Sequence, residues 1–342
     1  MLTQNQYKEI REEVETCKKP LFFFHDDPDG LCSFLLLYRC IKEGHGIIVK
    51  THPNVDSEFL KKVEEYSPDK IFILDIALVE QEFIDAVKVP IIWIDHHGPY
   101  TRDNVKYFNP RKIEKISSQP ASYICYKAVD EDIWISMAGC IGDMYWPEFA
   151  EEFRAIYPDL LPNEINNARD AYFKAGIGNL SRILSFVLKG TSSEAMKFVK
   201  ILTRVKSPYE ILKQETSQGK LVFQKYLKVN NEYQELLNQA SKKSNDRSIL
   251  LYIYPQNRMS FTGDLANELA YMFPDKVIII GREKSGEVKL SLRSERYNLP
   301  DVIENALYGL QGYGGGHEHA AGAVVKTEDF DSFVNRLKAS LG

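Results

Sequence analysis

The feature that most constrains the fold is a recurring unit: a short run that is apolar throughout, then a stretch with apolar residues at helical spacing. Apolar runs fall at residues 20–25, 46–50, 70–75 and 90–95, and helical patterns at 31–41, 57–66 and 80–87. Strands that are apolar on both sides are buried on both faces, and strands separated by helices run parallel. The spacing therefore predicts an α/β fold, a parallel sheet covered by helices. An amphipathic helix over 3–18, with Tyr7, Ile10 and Val14 on one side, precedes it. Three of the apolar runs end in a residue able to bind a metal: His25, Asp75 and Asp95. The carboxyl ends of parallel strands share one edge, and open α/β sheets bind ligands there.

The first of these ends opens a turn, His25-Asp26-Asp27-Pro28-Asp29-Gly30. Ordinary turn chemistry accounts for the Pro and the Gly. It does not account for a His and two carboxylates, Asp27 and Asp29, at alternate positions leaving a Phe-rich strand. His96 and His97 follow Asp95 directly, and helical stretches at 120–129 and 133–141 deliver Gly142-Asp143 into a loop. Taken alone, Asp143 reads as a polar residue at a helix end. Trp93 and Phe22 to Phe24 read as core, and His45 and His52 as surface or packing residues. Tyr145 and Trp146 read as packing beneath the loop or as faces for a base.

From 150 to 245 the pattern is helical without strands. Thr191 and Ser207 each precede a Glu by three residues and predict helix starts. The helix begun at Pro208 is expected to run to about 240 and to connect two domains, with the polar stretch 241–246 ending it. A second α/β unit follows, with strands at 249–254, 276–280, 288–292 and 323–325 and helices at 264–272, 299–308 and 327–341. The expected division is a catalytic domain at 1–190, a helical connector at 191–246 and a smaller domain at 247–342.

Six residues, His25, Asp27, Asp29, Asp75, His96 and Asp143, form a mixed carboxylate and imidazole set without thiolate. Such a set suits Mn²⁺, with Mg²⁺ or Zn²⁺ less preferred. It is too many ligands for one catalytic ion with open positions, and it suits two ions about 3.5–4 Å apart that activate a water and clamp phosphoryl oxygens. A structural zinc site would draw on Cys, and the five cysteines have no Cys-x-x-Cys spacing. Their scatter predicts reduced thiols and a cytoplasmic protein. No apolar run approaches the roughly 18 residues of a spanning helix, and the N-terminus shows no signal-peptide core, so no membrane role is expected. A net charge of −5 argues against a generally basic nucleic-acid surface but not against a local one.

In this order the residues resemble the four motifs of the DHH phosphoesterase superfamily: His-x-Asp-x-Asp-Gly from His25, the strand-end Asp75, Asp95-His96-His97, and Gly142-Asp143. The stretch Gly314-Gly315-Gly316-His317-x-x-Ala320-Ala321-Gly322 resembles the hallmark of the DHH-associated C-terminal domain of RecJ-like exonucleases and nanoRNase/pAp-phosphatase-type oligoribonucleases. The resemblance covers nearly the whole chain, with no motif position missing. It implies a first metal held by His25, Asp27 and Asp75, and a second held by Asp29, Asp75, His96 and Asp143, with Asp75 bridging. It implies that His97 faces the scissile phosphate and that Asp95 orients an imidazole. Ser291-Leu292-Arg293-Ser294 resembles the family's substrate-contacting strand end, which gives Arg293, Gly314, Gly315, Gly316 and His317 the role of phosphate contacts. His319 reads as a solvated loop residue.

The implied function is a Mn²⁺-dependent phosphodiesterase acting from an end on short oligonucleotides or single-stranded nucleic acid, in a cleft between the two domains. A pAp phosphatase and a cyclic-dinucleotide phosphodiesterase are the rival enzymes. Inorganic pyrophosphatases lack the glycine-rich His motif. A scaffold subunit of a replication complex is the non-enzyme rival, and the intact metal motifs speak against it. The long connector helix also offers a surface for a homodimer.

Overall fold

The computed structural model describes residues 1–50, 54–243 and 248–341, which form two compact units, Met1–Tyr226 and Leu227–Gly342. His52 and much of the polar stretch 241–246 lie outside the described residues.

The first unit contains β1 (Pro20–His25), β2 (His45–Val49), β3 (Asn54–Val55), β4 (Lys70–Leu74), β5 (Leu78–Val79), β6 (Ile91–Ile94) and β7 (Lys106–Phe108). Five of them make one all-parallel sheet in the order β2-β1-β4-β6-β7, and β3 pairs with β5 separately. The expected parallel sheet is present, and β7, only three residues long, extends it. Phe24 lies opposite Leu74, and Leu74 opposite Ile94. That register sets His25, Asp75 and Asp95, the next residue of each strand, in one row at the carboxyl edge.

Strand interiors explain why the row holds still. Phe22, Phe23 and Phe24 are fully buried, Phe22 stacking on Phe72 and Phe24 on Phe34 of the covering helix Pro28–Ile41. Each such side chain contributes about 1.5–3 kcal/mol of burial. Trp93 is equally buried and donates its indole N–H to the Ile76 carbonyl at 2.8 Å, so its one polar atom is satisfied. The helix Pro28–Ile41 starts where it does because Asp27 caps it: its backbone is extended and its carboxylate accepts the Gly30 N–H at 2.9 Å, with Pro28 at the first helical position. Gly30 is required there, since a Cβ would lie 2.5 Å from the His25 carbonyl oxygen.

The region after Ala150 is helical, with no strand before Ile249 among the described residues. Thr191 and Ser207 cap helices as their spacing predicts. The continuous helix expected from Pro208 is instead two, Pro208–Leu212 and Ser217–Ser241. Gln214, at φ 55°, turns left-handed between them.

The second unit holds β8 (Ile249–Tyr254), β9 (Val277–Lys284), β10 (Glu287–Arg293), β11 (Gly312–His317) and β12 (Ala320–Lys326) in the order β11-β12-β10-β9-β8. β8 and β9 are parallel and the rest antiparallel. Val288, Leu290 and Leu292 alternate inward against Ile303 and Phe333 of the helices Leu299–Leu307 and Phe330–Leu341. The glycine-rich motif is therefore the edge strand of this sheet, exposed along its length.

Candidate metal centre

Asp75 is the hub. It is 1% exposed and follows β4 in a left-handed conformation, φ 54°. Oδ2 stands 3.3 Å from His25 Nδ1, and Oδ1 stands 3.3 Å from His96 Nε2. His25 Nδ1 is also 2.9 Å from Asp27 Oδ2. Ligand atoms of His25, Asp27 and Asp75 lie within 4.8 Å of one another, and so do those of Asp75, His96 and His97. Asp75 is common to both groups. Its Oδ1 is buried with no hydrogen bond, and a buried carboxylate oxygen left this way is costly unless a cation serves it.

The remaining acidic residues are arranged differently from one another. Asp29 is buried at the first turn of its helix, and its oxygens accept from Ala121 N and Ser122 N, both at 2.8 Å, and from the Ser122 hydroxyl. The helix Ala121–Val129 begins after Pro120, which has no capping side chain, so Asp29 caps it from another element. This leaves acceptor capacity chiefly on Oδ2, which lies 4.0 Å from His96 Nε2. Asp143 approaches the other ring nitrogen, with Oδ2 3.6 Å from His96 Nδ1. Asp29 and Asp143 thus flank His96 on its two nitrogens rather than meeting at one point.

Asp95 is fully buried and satisfied. It accepts from the His97 amide at 3.1 Å, Tyr107 Oη at 3.0 Å and Asn109 Nδ2 at 3.1 Å, and its Oδ1 is 2.7 Å from His97 Nδ1. Tyr107 is itself stacked on Trp93, with centroids 3.8 Å apart. The imidazole paired with Asp95 is therefore His97, with Nε2 left for other partners. Asp26 lies 3.7 Å from His25 Nε2 and 3.8 Å from Lys50 Nζ. Lys50 also donates to the carbonyls of Leu188 at 2.8 Å and Gly190 at 3.0 Å.

The electrostatics fit a divalent cation. Burial, and then the charge of Asp75, push the Asp29 carboxyl well above its ordinary range, and burial raises Asp143 to about 7. Burial works against protonation of His25 and His96, but Asp27, Asp75 and Asp143 outweigh it and raise both rings. Burial alone would raise Asp75, yet the two rings hold it well below the usual carboxylate range. A divalent ion bound among these groups would favour their deprotonated forms. The oxygen and nitrogen donors, with no thiolate among them, suit Mn²⁺ or Mg²⁺ better than a structural zinc.

In the second unit the Arg293 guanidinium donates to Asn267 Oδ1 at 2.7 Å and to the Leu292 carbonyl at 2.8 Å. Burial lowers its pKa. No carboxylate pairs with it at salt-bridge distance among the described residues. His317 is exposed at the end of β11. The neighbouring glycines differ in what holds them: a Cβ on Gly314 would meet Ile303 at 2.7 Å and Gly316 has φ +146°, whereas a Cβ on Gly315 would meet nothing within 4 Å. His319 is an exposed turn residue, as expected, and its Nδ1 lies 3.0 Å from the Ser294 carbonyl, which ties the β11–β12 hairpin to the end of β10. His45 is exposed against Tyr66, and Tyr145 packs edge-on to Tyr123. Ala121, Ser122, Tyr107, Asn109, Lys50 and Asn267 carry no local sequence signal for these contacts, because each meets a partner set by the tertiary fold.

Residues 21–143 match the family model described as the DHH family N-terminal domain, and residues 246–342 match the DHHA1 domain. Together these cover well over half of the chain, which belongs to the DHH superfamily. No curated protein matches it by sequence. Among solved structures, RecJ of Thermus thermophilus in complex with Mn²⁺ aligns with a TM-score of 0.70 at 15% identity, over 99% of this chain and 54% of that one. The same protein in complex with Mg²⁺ gives 0.65 at 14%, over 99% and 52%. An exonuclease RecJ bound to manganese gives 0.63 at 13%, over 100% and 94%. The likeness is one of fold, and the chain spans about half the length of the Thermus RecJ.

Proposed function

We propose that this chain is a metal-dependent phosphodiesterase that hydrolyses short oligonucleotides or single-stranded nucleic acid from an end. The observation that carries the reading is Asp75: one buried carboxylate, one of whose oxygens accepts no hydrogen bond, shared by a group with His25 and Asp27 and a group with His96 and His97 at the carboxyl edge of a parallel sheet. The proposed ligands are His25, Asp27, Asp29, Asp75, His96 and Asp143, and the proposed ions are two Mn²⁺ or Mg²⁺, the ions named with the RecJ structures. Bound there, such ions would lower the pKa of water and neutralise charge on phosphoryl oxygens. Asp95 holds the His97 ring by Nδ1 and raises its pKa against the effect of burial, which suits Nε2 to donate to a phosphate oxygen or a leaving group. Arg293, the backbone of Gly314 to Gly316, and His317 are proposed as phosphate contacts. No carboxylate among the described residues meets the guanidinium at salt-bridge distance, and this, with the unfilled space over Gly315, supports the assignment. The proposed division of labour is catalysis in 1–190, a connector at 191–246 and substrate recognition in 247–342.

The test is kcat/KM with Mn²⁺ for a dinucleotide, longer single-stranded RNA and DNA, pAp and cyclic di-AMP, each with and without EDTA. EDTA-sensitive turnover that is greatest for oligonucleotides a few residues long, with a shallow salt dependence of about −0.7 per phosphate contact in log K against log salt, is expected. A rate that climbs steadily with length and falls steeply with salt would replace the short-substrate preference with a processive one. Absence of turnover on every substrate would favour a scaffold role.

A further inference from the structure

At the far end of the metal-bearing helices the first unit has a pocket of about 500 Å³. Arg39 lines it, and its guanidinium forms a fork with Asp132, Nε to Oδ2 at 2.6 Å and Nη2 to Oδ1 at 2.9 Å, and also donates to the Val205 carbonyl. That arrangement fastens three segments: the end of the helix Pro28–Ile41, the turn before the helix Ile133–Gly142, and the chain after the helix Ser192–Leu202. Lys42, Arg204 and Lys206 line the same pocket, none with a carboxylate partner among the described residues. Glu131 contributes one negative charge, and Asp132 is already neutralised by Arg39, so the lining carries a net positive charge. Tyr38 adds an aromatic face, and its ring is held against Phe34 at 5.4 Å.

The pocket is separate from the metal centre. Asp29 and Arg39 are ten positions apart on one helix, about 15 Å at 1.5 Å per residue, and Asp132 and Asp143 stand at opposite ends of another. None of its residues enters the proposed chemistry. Its size lies within the roughly 300–1,000 Å³ of small-molecule sites. Guanidinium and ammonium groups lining one pocket suit phosphate oxygens, and an aromatic ring in the same lining suits a base.

We propose that this pocket is a second ligand site, one that takes a nucleotide by its phosphate groups, with Arg204, Lys206 and Lys42 as the phosphate contacts and Tyr38 beside the base. The test is calorimetric titration of the full chain with ADP, adenosine and inorganic pyrophosphate, in EDTA so that metal-dependent phosphate binding is silent. One ADP per chain is expected. Adenosine and pyrophosphate should each bind at least about tenfold more weakly, since each lacks one half of the contacts. The double variant R204E/K206E, and K42E independently, should weaken ADP by about tenfold or more. All three positions are exposed, so unchanged circular dichroism and dinucleotide turnover are expected. Arg293→Ala and His317→Ala should bind ADP as the wild type does. The proposal is overturned if ADP shows no saturable binding up to about 1 mM, or if both charge-reversal proteins retain it. It is equally overturned if R293A abolishes binding, or if either half of the nucleotide binds as tightly as the whole.

Discussion

Replacing Asp75 by Asn is the sharpest perturbation of the proposed centre. Asn keeps the shape and tolerates the left-handed backbone at φ 54°, so the change removes charge and little else. The two carboxylate oxygens stand 3.3 Å from His25 and from His96. At an effective dielectric constant of about 20, charges at that separation attract by about 5 kcal/mol, most of it offset by desolvation. Once the carboxylate is gone, the two rings can shed their protons instead of remaining as uncompensated buried charges. The net loss of stability at neutral pH should therefore be only about 1–3 kcal/mol. Asp75→Ala should cost about 1–2 kcal/mol more, because Ala pays for the left-handed conformation. Metal binding should respond far more strongly. Loss of a group that merely orients a ligand costs about 10–100-fold in affinity, and Asp75 is proposed as a ligand to both ions. Wild-type protein should bind two Mn²⁺ by calorimetry and by native mass spectrometry, D75N should bind neither at tens of micromolar, and D143N should keep one. A D75N protein that retains two-ion stoichiometry would refute the bridging assignment, whatever its activity.

Asp95→Asn should leave Mn²⁺ stoichiometry unchanged, lower kcat/KM by about ten- to a hundredfold through loss of a charge-assisted bond, and move the alkaline limb of the pH profile to lower pH, because the carboxylate that raises the His97 pKa is gone; an unmoved limb would separate His97 from proton transfer. Mn²⁺ binding should release protons near neutral pH and tighten as pH rises, since His25 and His96 are raised and Asp143 titrates at about 7 before a cation enters; titrations in buffers of different ionisation enthalpy measure this, and proton uptake would contradict it. Arg293→Ala should reduce kcat/KM by about ten- to a hundredfold with metal binding intact, and Asn267→Ala, which leaves the guanidinium but removes its 2.7 Å anchor, should give a smaller loss confined to KM; Mn²⁺ lost from either variant would place Arg293 in the wrong role.

The row at the carboxyl edge of the sheet was legible from sequence because two independent signals coincide there. Uniformly apolar runs define buried parallel strands, and a buried strand that ends in His25, Asp75 or Asp95 must deliver that residue to the common edge. Register then does the rest, since Phe24, Leu74 and Ile94 lie level across three neighbouring strands. The glycine-rich stretch was legible as a motif but not as β11. Glycine is depleted in strands, and what makes this one a strand is its pairing with β12, whose alternate residues Ala321, Ala323 and Val325 are buried and form the core side of the hairpin. The division of the long helix was equally obscure, because a left-handed Gln214 leaves no mark in composition.

The least legible residue was Asp29, and its geometry changes how the motif is understood. Read along the chain, His-x-Asp-x-Asp-Gly is a set of three similar ligands. In the fold the two carboxylates have unequal freedom. Asp27 turns one oxygen to the amide of Gly30 and the other to His25, so it caps its own helix and still faces the centre. Asp29 is held by amides and a hydroxyl some ninety positions away, so it caps a helix that has no cap of its own. Replacing Asp29 therefore removes a structural partner from Ala121 and Ser122 as well as a candidate ligand. Loss of activity in such a variant says little about metal binding by itself. The two effects part only in the metal-free protein, where the unpaired helix amides cost stability and the missing ligand costs nothing.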